Sequence, residues 1–226
     1  MTGRARQLPL PWPHTASSER ADIVVGDSNR LAVSALDAWP DWPHPVLLVV
    51  GPAGSGKTHL GTAWSELVGA EVFRPADVAK SDERFAVFLD DIDRGGFAEG
   101  ELFALLNAAR LGGGTILATA RVRPAELDIA LPDLRSRLQA ATIVELGSPD
   151  DALLAAVLTK LFADRQIEMD PKLVAVMLAR MERSLDMARR LVGRIDREAL
   201  ASGGRATRRL VLDVLAGNED LAGPSS

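Results

Sequence analysis

The sequence predicts an α/β protein in which a parallel sheet carries a phosphate-binding turn and an all-helical domain follows. Three observations predict it. The octapeptide Gly51-Pro52-Ala53-Gly54-Ser55-Gly56-Lys57-Thr58 follows the apolar run Val46-Leu47-Leu48-Val49-Val50 without a gap, which is the strand, glycine-rich turn and helix order of a P-loop. Short β-like runs then alternate with helical stretches as far as residue 146, the grammar of a parallel sheet covered on both faces. After Ser148 no β-like run of useful length recurs.

The whole chain sets the bounds. It has 226 residues, 47% hydrophobic and 25% charged, with a net charge of −5 and no cysteine. That composition suits a globular protein and argues against a general polyanion binder, a disulfide framework or a thiolate metal site. No apolar run approaches the ~18 residues of a membrane span and residues 1–13 lack an apolar signal core, so the expectation is a cytoplasmic protein with no membrane partner.

Residues 1–20, with Pro9, Pro11 and Pro13 among polar residues, read as an extended arm. The core is expected over 21–147. Ile23-Val24-Val25-Gly26 is a short apolar segment, and Asn29 to Trp39 has helical spacing until Trp39-Pro40-Asp41-Trp42-Pro43 breaks it. The tryptophans are expected to pack at the edge of the core. Lys57 and Thr58 open the helix after the turn, with His59 next in it. Strands are expected at Glu71-Val72-Phe73, Phe85 to Leu89, Thr115 to Thr119 and Thr142 to Leu146, giving a five-stranded sheet with the one before the P-loop. A helix from Glu99 to Arg110 ends at Gly112-Gly113-Gly114. Ser148-Pro149-Asp150-Asp151 reads as a capping box with proline at N1, opening a helical lid over 148–217. Its helices are expected at Asp150 to Phe162, Pro171 to Arg180, Leu185 to Leu200 and Thr207 to Leu215, and 218–226 is a loose tail.

The chemistry follows from residue type. Phosphate oxygens need several donors converging on one point, and Gly51, Gly54 and Gly56 let backbone N–H groups turn inward. Lys57 supplies a charge for the β/γ-phosphates and the Thr58 hydroxyl a ligand for Mg²⁺. Phe85-Ala86-Val87-Phe88-Leu89-Asp90-Asp91 reads as a Walker B strand. A parallel strand delivers its C-terminal end to the P-loop edge, so Asp90 can orient Mg²⁺ and Asp91 can polarise an attacking water. Thr119, ending the next strong strand, falls where a polar side chain can sense a γ-phosphate. By composition alone, the arginines of Leu131-Pro132-Asp133-Leu134-Arg135-Ser136-Arg137-Leu138 read as a solvated helix face.

Taken together, GPAGSGKT, VFLDDID, RPAELDIALPDLRSRL and the helical lid resemble the AAA+ ATPase module of the DnaA replication-initiator family, and more closely its stand-alone Hda-like branch, the regulatory inactivators of DnaA. The resemblance covers about residues 7–216. It implies ADP or ATP with Mg²⁺ as ligands, an adenine pocket at Ile23 to Asn29 that includes Val25 and Asn29, and Arg137 as an arginine finger acting on the nucleotide of a neighbouring subunit. The segment after the core matches the lid alone, without the family's DNA-reading domain, so no direct sequence-specific DNA binding is expected. Arg6-Gln7-Leu8-Pro9-Leu10-Pro11 resembles the motif by which Hda-like proteins dock on the DNA polymerase sliding clamp, with Gln7 as the polar contact and Leu8 and Leu10 in the apolar pocket. The implied partners are the clamp and DnaA, with a homo-oligomer left open. The rival reading is a nucleotide-dependent loader or adaptor that does no catalysis on DnaA.

One departure stands out. The family places a sensor 2 arginine at the start of the third lid helix, and this chain has Asp186 there. Arg189 or Arg190, three and four residues on and close to the same helix face, is the alternative sensor. If Asp186 governs, the chain is expected to prefer ADP and to turn ATP over weakly.

Overall fold

The computed structural model describes residues 20–72, 85–94, 96–202 and 206–217. Gln7, Leu8 and Leu10, nearly all of the arm and the tail 218–226 lie outside the described residues. The chain divides into two compact units, one made of residues 20–153 with Arg183–Asp186 and the other of Leu154–Glu182 with residues from Met187 onward.

The first unit is built on four parallel strands of four to seven residues: β1 (Val46–Val50), β3 (Phe85–Leu89), β4 (Gly114–Ala120) and β5 (Thr142–Glu145), in spatial order β3-β4-β1-β5. Of the fifth expected strand, β2 (Glu71–Val72) pairs with the outer edge of β3, and Phe73 lies outside the described residues. The sheet is therefore four strands with a short added edge. Every residue of β1 is buried, as a central parallel strand flanked by helices requires.

Alternation along β1 sorts the core into two layers. Val46, Leu48 and Val50 face Leu102, Leu105 and Leu106 of α3 (Glu99–Ala108) and Leu134 and Leu138 of α4 (Pro132–Ala140). Leu47 and Val49 face Val33 and Leu36 of α1 (Arg30–Asp37) and Leu60 and Trp64 of α2 (Lys57–Val68). Trp42 stacks on Trp64 at 5.4 Å between ring centroids and Trp39 meets the same ring edge-on at 6.4 Å, so the tryptophans pack at the edge of this layer. Gly61 is a close-approach position. A Cβ there would stand 2.0 Å from the Phe88 ring, so only glycine lets α2 lie so near the sheet.

Two local expectations are corrected. The helix after the core, α5 (Asp151–Ala163), is capped by Asp150, whose Oδ1 accepts from the Leu153 N–H at 2.7 Å; Ser148 and Pro149 precede the cap, and Pro149 is not at N1. A carboxylate is as good a cap as a serine hydroxyl, and Pro149 cannot follow a cap that lies after it. The glycine run is divided as well. α3 gives way to a wider turn over Ala109–Gly113, with Gly112 at φ 91°, and Gly114 already belongs to β4, where its missing Cβ admits the Phe85 carbonyl.

The second unit holds most of α5, then α6 (Pro171–Leu178), most of α7 (Leu185–Ala201) and α8 (Arg208–Ala216), with no strand among the described residues. Asp170 caps α6 and Thr207 caps α8 through side-chain oxygens. Leu158, Phe162, Met177, Val192, Ile195 and Val211 are buried, the apolar faces that the helical spacing predicts. No described helix is long and apolar enough to cross a membrane.

Candidate phosphate-binding site

The parallel register carries the C-terminal ends of β1, β3 and β4 to one edge of the sheet, with Val49 opposite Thr119, Val50 opposite Ala120 and Leu89 opposite Ala118. The turn Gly51 to Gly56 leaves β1 there. Its backbone needs glycine at two points: Gly54 has φ 71° and Gly56 φ 100°, the left-handed region that side chains disfavour. A Cβ on Gly54 would also meet Ser184 Oγ at 2.2 Å, and one on Gly51 the Leu146 carbonyl at 2.4 Å. Pro52 accepts from Ser55 Oγ at 2.9 Å, which ties the turn to itself. Ala53 is an exposed residue of the turn.

Lys57 is 5% exposed, and its Nζ donates to the Gly51 and Pro52 carbonyls at 2.8 and 3.0 Å. Burial pushes its ammonium below the ordinary lysine range; Asp91, Asp93 and Asp90 oppose that shift and Arg121 adds to it. α2 starts at Lys57 with Gly56 as its cap and no side-chain capping bond. The N–H groups of its first turn and a buried cation thus face the same turn, the arrangement that accepts a phosphate. Thr58 and the half-buried His59 occupy that first turn.

The carboxylates come from β3. Asp90 accepts from the Thr58 hydroxyl at 2.8 Å through Oδ2 and from the Thr119 hydroxyl at 2.6 Å through Oδ1. Two oxygen donors suited to a hard divalent cation, Thr58 and Asp90, therefore lie side by side. Asp91 sits at φ 46°, a strained setting for a non-glycine residue. Thr119 holds it there: its hydroxyl accepts from the Asp91 N–H at 2.8 Å and its carbonyl from the Ile92 N–H at 2.9 Å. Threonine at this strand end is thus a fastener of both aspartates.

Arg121, which sequence reasoning missed, follows β4 and faces Asp91, with 3.5 Å between Nη2 and Oδ2. An arginine two residues beyond a strand-end threonine carries no motif. Its place beside Asp91 comes only from the pairing of β3 with β4.

The remaining expected residues divide. Asn29 is buried, and its side chain bridges the Val24 carbonyl and the Gly26 N–H at 2.8 Å each, so it shapes the segment from within while Val25 is 48% exposed. Asp186 stands in the first turn of α7, next to Leu185, whose N–H donates to the Gly54 carbonyl at 2.9 Å. Arg189 and Arg190 are farther along α7, in the part that belongs to the helical unit. On α4, the Arg137 guanidinium lies 5.8 Å from the centre of the Phe103 ring, whereas Arg135 Nη2 donates to the Ile129 carbonyl at 2.6 Å.

The chain shares its fold with solved structures of known proteins. It superposes on domain III of the Thermotoga maritima replication initiation protein DnaA with a TM-score of 0.72 and 19% identity, over 92% of this chain and 98% of that one. A replication initiator DnaA bound to AMPPCP and single-stranded DNA gives 0.68 and 18%, over 90% and 70%. The Thermotoga maritima Holliday junction branch migration motor RuvB gives 0.64 and 21%, over 85% and 70%. At these identities the likeness is one of fold. An uncharacterized protein of Haemophilus influenzae is 28% identical over 228 aligned positions, 93% of this chain and 98% of its own. No family model matches the chain.

Proposed function

We propose that this chain binds an adenine nucleotide with Mg²⁺ at the P-loop edge and acts as an Hda-like negative regulator of replication initiation, docking on the sliding clamp and stimulating hydrolysis of DnaA-bound ATP. One observation carries the nucleotide site: a nearly fully buried lysine whose ammonium is held by two P-loop carbonyls, beside an uncapped helix start. A buried cation whose hydrogen bonds go to neutral carbonyls gains from an incoming anion. Gly51 to Thr58 would hold the phosphates, Thr58 and Asp90 the cation, and Val25 the base, with Asn29 shaping that pocket. Mg²⁺ would neutralise charge on the phosphates when bound. Asp91 would polarise water, and Thr119 would fix both carboxylates in place.

Arg137 supports the action on a partner. It lies half-buried on α4 and rests on an aromatic ring rather than on a carboxylate, so its charge would be available to a neighbouring subunit's phosphates. Residues 148–217 would form the lid, and the arm would reach the clamp through Gln7, Leu8 and Leu10. The DnaA-like fold and the residue pattern of the arm support the partner pair.

The test is turnover of DnaA-bound ATP with this protein added, with and without clamp on DNA. Clamp-dependent stimulation is expected, and it should vanish in a Gln7→Ala, Leu8→Ala double variant that still binds ADP. Clamp binding without stimulation would assign the loader or adaptor role instead.

A further inference from the structure

We infer that Glu99 is a positioning residue for Arg137: its carboxylate fastens the start of α4 to α3, and Phe103, one turn further along α3, seats the guanidinium. The inference rests on the reading of Arg137 as a residue that acts on a partner's nucleotide, and deepens it.

Helix α4 does not cap its own start. It begins at Pro132, which has no N–H, and its cap residue, Leu131, has no polar side chain and makes no capping bond. Glu99, the first residue of α3, fills the role from outside: the Ala130 and Leu131 N–H groups donate to its two carboxylate oxygens at 2.8 and 2.7 Å. Bonds from backbone N–H groups to a carboxylate are among the strong ones, and a negative charge at a helix start is favoured by the helix dipole. Arg135 ties the same segment in turn, its Nη2 donating to the Ile129 carbonyl at 2.6 Å. A groove bordered by Glu99, Leu102, Ile129 and Leu134 lies beside the junction, so packing alone does not clamp it.

The second contact comes from the same face of α3. Residues four apart on a helix are neighbours, so Glu99 and Phe103 form one edge. The first holds the start of α4, and the ring of the second lies 5.8 Å from the guanidinium of Arg137 in the last turn of α4. A phenyl ring attracts a cation through its face and offers no conventional hydrogen-bond acceptor. It therefore sets where the charge lies and leaves the N–H donors for another molecule. Two anchor points, one at each end of α4, fix both where the helix lies along α3 and where Arg137 is held.

Turnover of DnaA-bound ATP, measured while the full chain is titrated in the presence of clamp on DNA, tests this. Glu99→Ala should lower the maximal stimulated rate by about 100-fold, the scale of a small misplacement of an acting group. The concentration giving half of that maximum, and ADP affinity by calorimetry, should stay within about threefold, since neither depends on where Arg137 is held. Glu99→Gln should fall between, at about tenfold, because the amide keeps one acceptor oxygen but turns a donor towards the other N–H. Phe103→Leu should also lower the maximal rate, and Phe103→Tyr should preserve it by keeping the ring. Glu101→Gln, which removes the same charge from the exposed side of the same turn, should change nothing. An unchanged maximal rate in Glu99→Ala, or an equal loss in Glu101→Gln, would overturn the inference. Should Glu99→Ala also lose ADP, Glu99→Gln decides by the same split, and a loss shared by rate and ADP affinity in both variants would reduce Glu99 to a stabilising residue. If the unaltered protein gives no stimulation, or Arg137→Ala leaves it intact, the reading of Arg137 itself fails and this inference goes with it.

Discussion

The P-loop edge and helix α4 use basic residues in opposite ways. At the edge, Lys57 is buried among the carbonyls of its own turn, and the Thr58 and Thr119 hydroxyls both donate to the Asp90 carboxylate. On α4 the charge of Arg137 lies over the Phe103 ring, a contact that steadies it without committing its N–H donors to a carboxylate. A site assembled within one chain fixes its polar groups early. A residue meant for another molecule has to be held in place yet left unspent.

The sharpest way to break this contrast is Arg137→Ala. Stimulation of DnaA-bound ATP hydrolysis should fall by about 10³-fold or more, the scale of an arginine supplied in trans, with ADP affinity of the variant itself unchanged by calorimetry. Near-normal stimulation would remove α4 from the comparison. Lys57→Ala should have the reverse pattern, weakening ADP by about 100-fold through loss of a buried charge-assisted contact. The pH dependence sharpens it. Burial lowers the Lys57 ammonium in the free protein, and a bound phosphate favours the charged form and raises it. Between those two values each binding event takes up a proton, so affinity should decline as pH rises through the bound-state value. Calorimetry in buffers of different ionisation enthalpy reads that uptake, and Lys57→Ala should abolish it.

Gly61→Ala probes the scaffold beneath both regions. With the Phe88 ring 2.0 Å from the new Cβ, overpacking should cost about 1–3 kcal/mol in urea unfolding without altering the ratio of ADP to AMPPCP affinity. The smallest effect belongs to the Arg20–Asp37 pair, joined by two bonds of 2.6 Å at partly exposed positions. The hydrogen bond from Arg20 holds the Asp37 carboxyl below its ordinary range, against a smaller opposing effect of burial. A lowered folded-state value means that the stabilisation is present above the unfolded-state value and is lost as pH falls through the folded one. Asp37→Asn should therefore cost no more than about 1 kcal/mol at neutral pH and nothing at strongly acidic pH.

How much was legible follows from where each signal resides. Gly51 to Thr58 is a local spacing, and β1 and β3 are apolar runs ending in turn residues, so their bounds in the fold match the reading. The α/β core was legible for the same reason. Arg121 was not, because nothing next to it in sequence marks it; its meaning comes from Asp91, delivered by a strand about 30 residues away and held at positive φ by Thr119. Asn29 was read as lining a base pocket, and its side chain spans Val24 and Gly26, a local geometry that residue type alone leaves open. The cap at Asp150 was missed because serine and aspartate cap equally well, and only the Leu153 N–H decides between them.

The hydrogen bond from Leu185 to Gly54, with Ser184 filling the space a side chain on Gly54 would need, has a consequence in time. During synthesis at ~5–20 residues per second, the turn emerges roughly 130 residues before the segment that closes over it, an interval of about 6–26 s. A nascent chain that already has its whole sheet still lacks the group that holds Gly54. The turn around Gly54 reaches its final form only when residues 183–186 arrive, well after the strands of the sheet have been made.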